Sequence, residues 1–268
     1  MPATYGWGYT KRYFDRLMWL SYSGWAWEFK RRDPELLRTY RMLKTRPVSI
    51  MRSDGSQLFR LRLPCQQSEQ FGLQFLPDPR LSAYETPLFW LPHIMTSNLD
   101  AAGELGSRFA QSDEQLSLPS LPGKKSILIS PGRRTKLAIA ARGYAAQIAI
   151  NAPSAPLPLG IYLTLKVGAG ARMLQKVECF DQFARFCSGL HFDAKPRRGY
   201  APIKLRQALT ALDGWLSGAS QREIAAVLFG AKLVYEDWND GVHSYKSRTR
   251  RLIKKGRNLM EKDYLKLL

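Results

Sequence analysis

Hydrophobic positions in the last third of the chain recur at the spacing of amphipathic helices. One helix is predicted between Pro202, which suits a helix start, and Gly218, which suits a stop. Its apolar stripe consists of Leu205, Ala208, Leu209, Leu212 and Leu216. A short second helix follows, because Ser220 and Glu223 have the spacing of a capping box. That helix is expected to end near Gly230.

A third helix near the end of the chain combines an apolar seam with a strongly basic face. At roughly 100° per residue, its apolar and small positions fall on one side. These seam positions are Val242, Tyr245, Thr249, Leu252, Ile253, Gly256, Leu259 and Met260. The rest of the surface carries basic side chains, with no acidic residue between Gly241 and Met260. One side can therefore pack on a core while the other attracts a polyanion.

Three helices in this order, the last of them basic, are typical of a helix-turn-helix module, with residues 203–262 as the expected DNA-binding core. The connector Gly230 to Gly241 is longer than the usual turn of three or four residues. Val234, Tyr235 and Trp238 are expected to hold it on the core. The expected DNA contacts are His243, Ser244, Lys246, Ser247, Arg248, Arg250, Arg251, Lys254, Lys255 and Arg257. The alternative is a solvated basic helix on an unrelated helical bundle.

The preceding residues predict an α+β fold. Residues 1–62 are expected to form a helical N-terminal domain with helices at Gly24–Arg32 and Pro34–Lys44, and Leu58–Leu63 has the alternation of a strand. Residues 63–123 are rich in Pro, Ser and Gln, which predicts an extended connecting segment with a linker from Asn98 to Leu121. In residues 124–268, a small antiparallel sheet is expected to lead into the helical module. Its predicted elements are strands at 126–129, 137–140, 145–150 and 161–167 and a helix at 172–187.

Three large aromatic residues lie close together in the first predicted helix. Trp25 and Phe29 are four residues apart and share a side, whereas Trp27 points away from them. We expect Trp27 to be exposed and the three residues to form a contact with another domain or a partner. The alternative is that the segment Cys65–Pro122 buries Trp27.

The net charge and the cysteines limit the classes of function that the chain could have. The chain has 41 basic and 22 acidic residues and a net charge of +19, which favours a nucleic acid as partner. It has neither an apolar run of about 18 residues nor a signal peptide, so we expect a cytoplasmic protein without membrane contact. Cys179, Cys187 and His191 do not complete a zinc site, and the cysteines are expected to pack as apolar residues. No catalytic motif is present, so we expect no enzyme, metal or cofactor.

Several short motifs resemble a proteobacterial family found on integrative and conjugative elements. In the C-terminal part they are Leu212-Asp213, Ser217 to Ser220, Arg222 to Ala225, Leu228 to Gly230, Asp237-Trp238, Arg248 to Arg251 and Tyr264 to Leu268. Near the N-terminus, Trp25 to Phe29, Arg31-Arg32 and Pro34 are similar to a separate domain of the activators. Asp33 and Thr249 depart mildly from the family pattern. The family comprises activators of the FseA type and antiactivators of the QseM type, and its C-terminal domain is an extended-turn variant of helix-turn-helix.

The resemblance implies a transcriptional activator that binds double-stranded promoter DNA and controls excision and transfer of a mobile element. RNA polymerase and an acidic antiactivator are its implied protein partners. One alternative is an antiactivator, but antiactivators of the family lack the aromatic domain and the basic charge. A second alternative is an RNA-binding accessory protein, since a basic helix serves both nucleic acids.

Overall fold

The computed structural model describes residues 15–44, 46–95, 97–105, 116–151, 161–167, 170, 172–189, 200–236, 238 and 244–268. Helices α1 (Tyr22–Lys30) and α2 (Pro34–Met42) open the described chain, close to their predicted positions. The Ser21 hydroxyl accepts a hydrogen bond from the Gly24 amide, and the Asp33 carboxylate accepts one from the Glu35 amide. Both helices therefore begin at side-chain caps of the expected kind.

Eight strands of the described chain form one mixed sheet in the order β1-β2-β5-β6-β7-β3-β8-β4. The strands are β1 (Val48–Met51), β2 (Gln57–Arg60), β3 (Asn98–Leu105), β4 (Leu116–Ser117), β5 (Lys124–Ser130), β6 (Arg134–Ala141), β7 (Tyr144–Asn151) and β8 (Ile161–Lys166). The α+β class is confirmed. The sheet is larger than the small antiparallel one we expected, and the pairs β2–β5 and β3–β7 are parallel.

Strand β3 corrects the interpretation of residues 98–121 as a linker. It lies between β7 and β8, so its backbone is paired on both sides. Leu99 and Ala101 point into the core and are each 3% exposed. The linker prediction is wrong for residues 98–105 because the strand's partners lie about 50 to 65 residues away in sequence, as the pairs Leu99 with Ile148 and Ala101 with Leu165 illustrate. No local sequence pattern predicts a pairing between segments so far apart.

The residues before β3 are ordered against the rest of the molecule. A single helical turn, α3 (Gln66–Glu69), is followed by loops whose aromatic residues act as anchors. The buried anchors are Phe71, Phe75, Phe89 and Trp90. Phe75 and Phe89 pack on one face of the sheet with Leu128. The aromatic residues in this Pro-rich segment therefore hold it on the core.

The opposite face of the sheet is covered by α4 (Met173–Cys187). Ile127, Leu137 and Ile148 pack there with Phe183 of the helix. The spacing of Leu174, Val177, Phe180, Ala184 and Cys187 predicts an apolar stripe on this helix, but Leu174 is 86% exposed and Val177 is 46% exposed. That choice of stripe is wrong, since Cys179 and Phe183 form the buried face. The helix carries two apolar stripes, and the one that packs on the sheet contains Cys179 and Phe183.

A second core joins the two ends of the chain. It contains residues of α1, of the loops at 71–95, and of helices α5 (Pro202–Leu216) and α8 (Tyr245–Glu261). The chain closes with a 3₁₀ helix, Asp263–Leu267, whose Leu267 is fully buried in the same core. The described residues of the segments 1–62 and 124–268 therefore share this core and the sheet. None of the described helices is both long and apolar enough to span a membrane.

Candidate nucleic-acid interface

The C-terminal module begins with the two helices that the pattern predicted. In α5, the stripe residues Leu205, Leu209 and Leu212 are fully buried. Gly218 then turns the chain with φ of 84°, a left-handed conformation that favours glycine. Helix α6 (Gln221–Phe229) starts with the predicted capping box. The Ser220 amide donates to the Glu223 carboxylate at 2.7 Å, and the Glu223 amide donates to the Ser220 hydroxyl at 3.3 Å.

The connector between α6 and α8 contains a helix of its own, α7 (Ala231–Glu236). Val234 is 2% exposed, so it anchors the connector as predicted. Tyr235 is 78% exposed, so its predicted anchoring role is wrong. Its ring lies 5.5 Å from the Arg222 guanidinium, on the surface of α6. The long connector is therefore partly helical and held mainly by Val234.

The predicted seam of α8 is the side that packs on α5. Thr249, Gly256, Leu259 and Met260 are buried, and Tyr245, Leu252 and Ile253 are partly buried. Val242 lies outside the described residues. A side chain at Gly256 would place its Cβ 2.6 Å from the Ala208 carbonyl oxygen and 2.9 Å from the Leu212 Cβ. The close crossing of α5 and α8 therefore requires glycine at this position.

Packing this seam leaves the seven cations of α8 on the remaining surface. At roughly 100° per residue, Arg250, Arg251 and Lys254 lie opposite the seam, and all three are exposed. Two pairs flank the seam, one on each edge. They are Lys246 with Arg257, and Arg248 with Lys255. The outward face of α8 is thus uniformly positive along its first three turns.

Three of the four flanking cations, Arg248, Lys255 and Arg257, contact aromatic residues of the neighbouring segments. The Arg248 guanidinium lies 4.4 Å from the Phe229 ring centre. Arg257 lies 4.6 Å from the Trp215 ring and 3.7 Å from the Glu261 carboxylate. A contact with an aromatic ring orients a guanidinium without neutralising its positive charge. The edges of the basic face are therefore more ordered than a row of free side chains.

Lys255 differs from the other cations because it is partly buried. Its ammonium lies 5.2 Å from the Tyr200 ring. Burial lowers the pKa of Lys255, and the positive charge of Lys204 on α5 lowers it further. A phosphate placed between Lys204 and Lys255 would relieve this repulsion. The basic surface therefore extends from α8 onto α5.

Ser244 and Ser247 contribute to the start of the helix. Ser244 is 5% exposed, and its hydroxyl accepts a hydrogen bond from the Ser247 amide at 3.3 Å. It is therefore the N-cap of α8, and its expected DNA contact stays a prediction. Ser247 is partly exposed on the basic face, opposite the seam. His243 lies outside the described residues.

Sequence reasoning missed the charged residues that hold this module against α1. Arg32 is buried, and its guanidinium makes two hydrogen bonds to the Asp213 carboxylate on α5. The Lys30 ammonium lies 3.3 Å from the Glu261 carbonyl oxygen at the end of α8. A cation is favourable there because of the helix dipole. In the sequence, Arg31-Arg32 and Asp213 stand out only as parts of the motifs that resemble the family. Nothing in those motifs indicates that Arg32 and Asp213 are in contact.

The aromatic residues of α1 are fully buried, contrary to the expectation for Trp27. Trp25, Trp27 and Phe29 are each 0% exposed. The Trp27 indole nitrogen donates to the Leu81 carbonyl oxygen at 3.0 Å. The prediction of an exposed Trp27 is wrong because the loop around Leu81 covers the far side of α1. The alternative, burial by the segment Cys65–Pro122, is the one observed.

Among the described residues, the cysteines do not group with other metal-binding side chains. Cys179 is buried beside the sheet, and Cys187 packs at the edge of the same cluster, where burial raises the pKa of its thiol. Within the ranges that the structure describes, no three His, Cys, Asp or Glu side chains are grouped to hold a metal ion. His191 lies outside these ranges.

The C-terminal module is similar to a known family of DNA-binding domains. Residues 166–268 match the family model of the RovC DNA-binding domain, described as a T6SS transcription factor DNA-binding domain. The match begins at the last residue of β8 and covers α4 and the helical module, including the basic face of α8. No curated protein matches the chain. The matched region supports a DNA-binding regulator with DNA as its partner.

Proposed function

We propose that this chain is a non-enzymatic transcriptional activator that docks the basic face of α8 on double-stranded promoter DNA. The observation that carries the proposal is the placement of Arg250, Arg251 and Lys254 on an exposed surface opposite a buried seam. The family match to a transcription factor domain supports the choice of DNA over other polyanions. Such a protein works in the cytoplasm, where bacterial DNA lies.

The finer assignment rests on the resemblance to mobile-element regulators. On that basis the regulated genes are those for excision and conjugative transfer, and the activator contacts RNA polymerase. An acidic antiactivator would be its antagonist. The rival role, an antiactivator, is disfavoured by the positive charge of α8. Capture and sequencing of chromosomal fragments bound to the full-length protein identifies the target site and the genes beside it.

The direct test is fluorescence anisotropy of a captured duplex at increasing salt. We expect the logarithm of affinity to fall linearly with the logarithm of salt, by about 0.9 for each phosphate contacted. Replacing Arg250 and Arg251 by alanine should weaken binding and reduce this slope. The matched control is Arg38 and Arg41 on α2, two exposed arginines outside the module. Their replacement should leave the slope unchanged.

Three results would contradict the proposal. Binding that does not depend on salt would exclude a phosphate interface. Tighter retention of single-stranded RNA than of duplex DNA would favour the RNA-binding alternative. An equal effect of the α2 control pair would show that net charge, and not the face of α8, drives binding.

A further inference from the structure

A cavity of about 390 Å³ lies between α1 and the sheet, on the side of the sheet away from α4. Its floor includes Ala140 on β6 and Ala145 on β7, which are directly paired. Ser23 and Gly24 of α1 line one wall. Because these positions carry small side chains, the helix and the sheet do not fill the space between them. The volume falls within the range of small-molecule sites.

The cavity is apolar inside and positively charged at its edge. Met95, Leu20 and Leu88 line the interior. Arg16, Lys124 and Arg142 are also among the lining residues, and all three are exposed. None of the described lining residues is acidic. An apolar body with an anionic head group therefore matches the lining in both polarity and charge.

The cations at the edge are already positioned. The Arg142 guanidinium lies 3.3 Å from the Trp19 ring centre. The Lys124 ammonium donates to the Glu85 carbonyl oxygen at 3.1 Å. Burial lowers the pKa of Lys124, an effect that the nearby Glu85 charge opposes. The Glu85 carboxylate itself accepts hydrogen bonds from the amide and hydroxyl of Ser82, so it is engaged away from the cavity.

We propose that this cavity binds a small amphipathic carboxylate, with its apolar part between α1 and the sheet and its carboxylate at Arg142 and Lys124. The binding does not depend on DNA recognition by α8. The cavity and the basic module nevertheless share α1 and the turn that follows it, since Ser23 and Gly24 line the cavity while Lys30 contacts α8 and Arg32, in the turn, binds α5. A ligand in the cavity would therefore contact α1, the helix that supports the DNA-binding module.

The test is a fluorescence titration of the full-length protein with anilinonaphthalene sulfonate, an apolar anion, followed by displacement. We expect saturable binding with one site and displacement by decanoate, with decanol displacing about tenfold less well because it lacks the charge. Absence of binding, or equal displacement by decanol and decanoate, would overturn the proposal.

Matched variants locate the binding. Ala145→Leu fills the cavity and should weaken probe binding about tenfold or more. Ala149→Leu is the control, because Ala149 lies four residues along β7 on the same face but outside the cavity. Arg142→Gln should weaken displacement by decanoate, whereas Lys166→Gln removes an exposed charge away from the cavity and should not. If the two alanine variants weakened probe binding equally, or if the two charge variants changed decanoate displacement equally, the probe would bind outside the cavity. Either result would contradict the assignment.

Discussion

Arg32 and Asp213 form a buried, bidentate ion pair that joins the turn after α1 to the first helix of the DNA-binding module. The Arg32 Nε donates to Asp213 Oδ1 at 2.5 Å, and Nη2 donates to Oδ2 at 2.9 Å. The same guanidinium donates to the Glu28 carboxylate at 3.0 Å. Glu28 also accepts from Arg31 at 2.7 Å and from the Ala83 amide at 2.9 Å. Every charge of this network faces an opposite one.

Breaking the pair from the module side should destabilise the whole protein. We expect Asp213→Ala to lower the free energy of unfolding by about 3–5 kcal/mol, since it leaves the buried Arg32 charge without its main partner. Urea unfolding followed by circular dichroism measures the change. The control is Arg185→Ala, which breaks an exposed pair with Asp181 and should cost at most about 1 kcal/mol. Equal costs for the two variants would show that the buried pair does not support the fold.

Glu28 should make the stability sensitive to acid. Burial by itself raises its pKa, but the charges of Arg31 and Arg32 and the hydrogen bonds outweigh burial, so the pKa of Glu28 is lowered in the folded protein. Its stabilising contribution is therefore complete above the unfolded pKa of about 4.3 and is lost as pH falls through the lower folded value.

The measurement is the free energy of unfolding of the wild-type protein and of Glu28→Gln between pH 7 and pH 3. The difference between the two proteins should be largest at neutral pH and should shrink as pH falls below about 4.3. A difference that is constant over this range would mean that the charge of Glu28 does not contribute.

Gly256 should tolerate no side chain. The Cβ of Gly256→Ala would meet the Ala208 carbonyl oxygen, a backbone atom that cannot rotate away. We expect a loss of about 1–3 kcal/mol in unfolding free energy as α8 moves off α5, although alanine favours helix formation. Thermal unfolding measures this effect. Gly170→Ala is the control, because a Cβ at Gly170 meets no atom within 4 Å. A Gly256→Ala protein of unchanged stability would contradict the close crossing.

The cations of α8 should fall into two groups, those that only contact DNA and those that also stabilise the fold. Lys254 lies opposite the seam, so Lys254→Ala should weaken DNA binding and reduce the salt slope by about 1 without changing stability. Arg248 packs on Phe229 and Tyr245, so Arg248→Ala should also lower the unfolding temperature. Anisotropy and thermal unfolding of both variants separate the two roles. Equal stability losses would show that the aromatic contacts of Arg248 add nothing.

Local signals in the sequence determined the helical module. Ser220 and Glu223 need only each other and one turn of helix, so the start of α6 was predictable. The seam of α8 followed from helical periodicity, and its burial at Thr249, Gly256 and Leu259 is confirmed. The charge of its outer face is likewise a property of residue order. Strands β5 to β8 were also predictable locally, since a short apolar run indicates a strand before its partner is known.

Tertiary structure alone decided where these elements meet. Trp27 is buried because a loop 54 residues away covers it, and Arg32 reaches Asp213 across 181 residues. Leu174 and Phe183 both lie on apolar stripes of α4, and only the sheet selects Phe183. Periodicity shows which residues share a face, but the partner of that face depends on contacts that no short stretch of sequence contains. For the same reason, the cavity between α1 and the sheet could be found only in the folded protein.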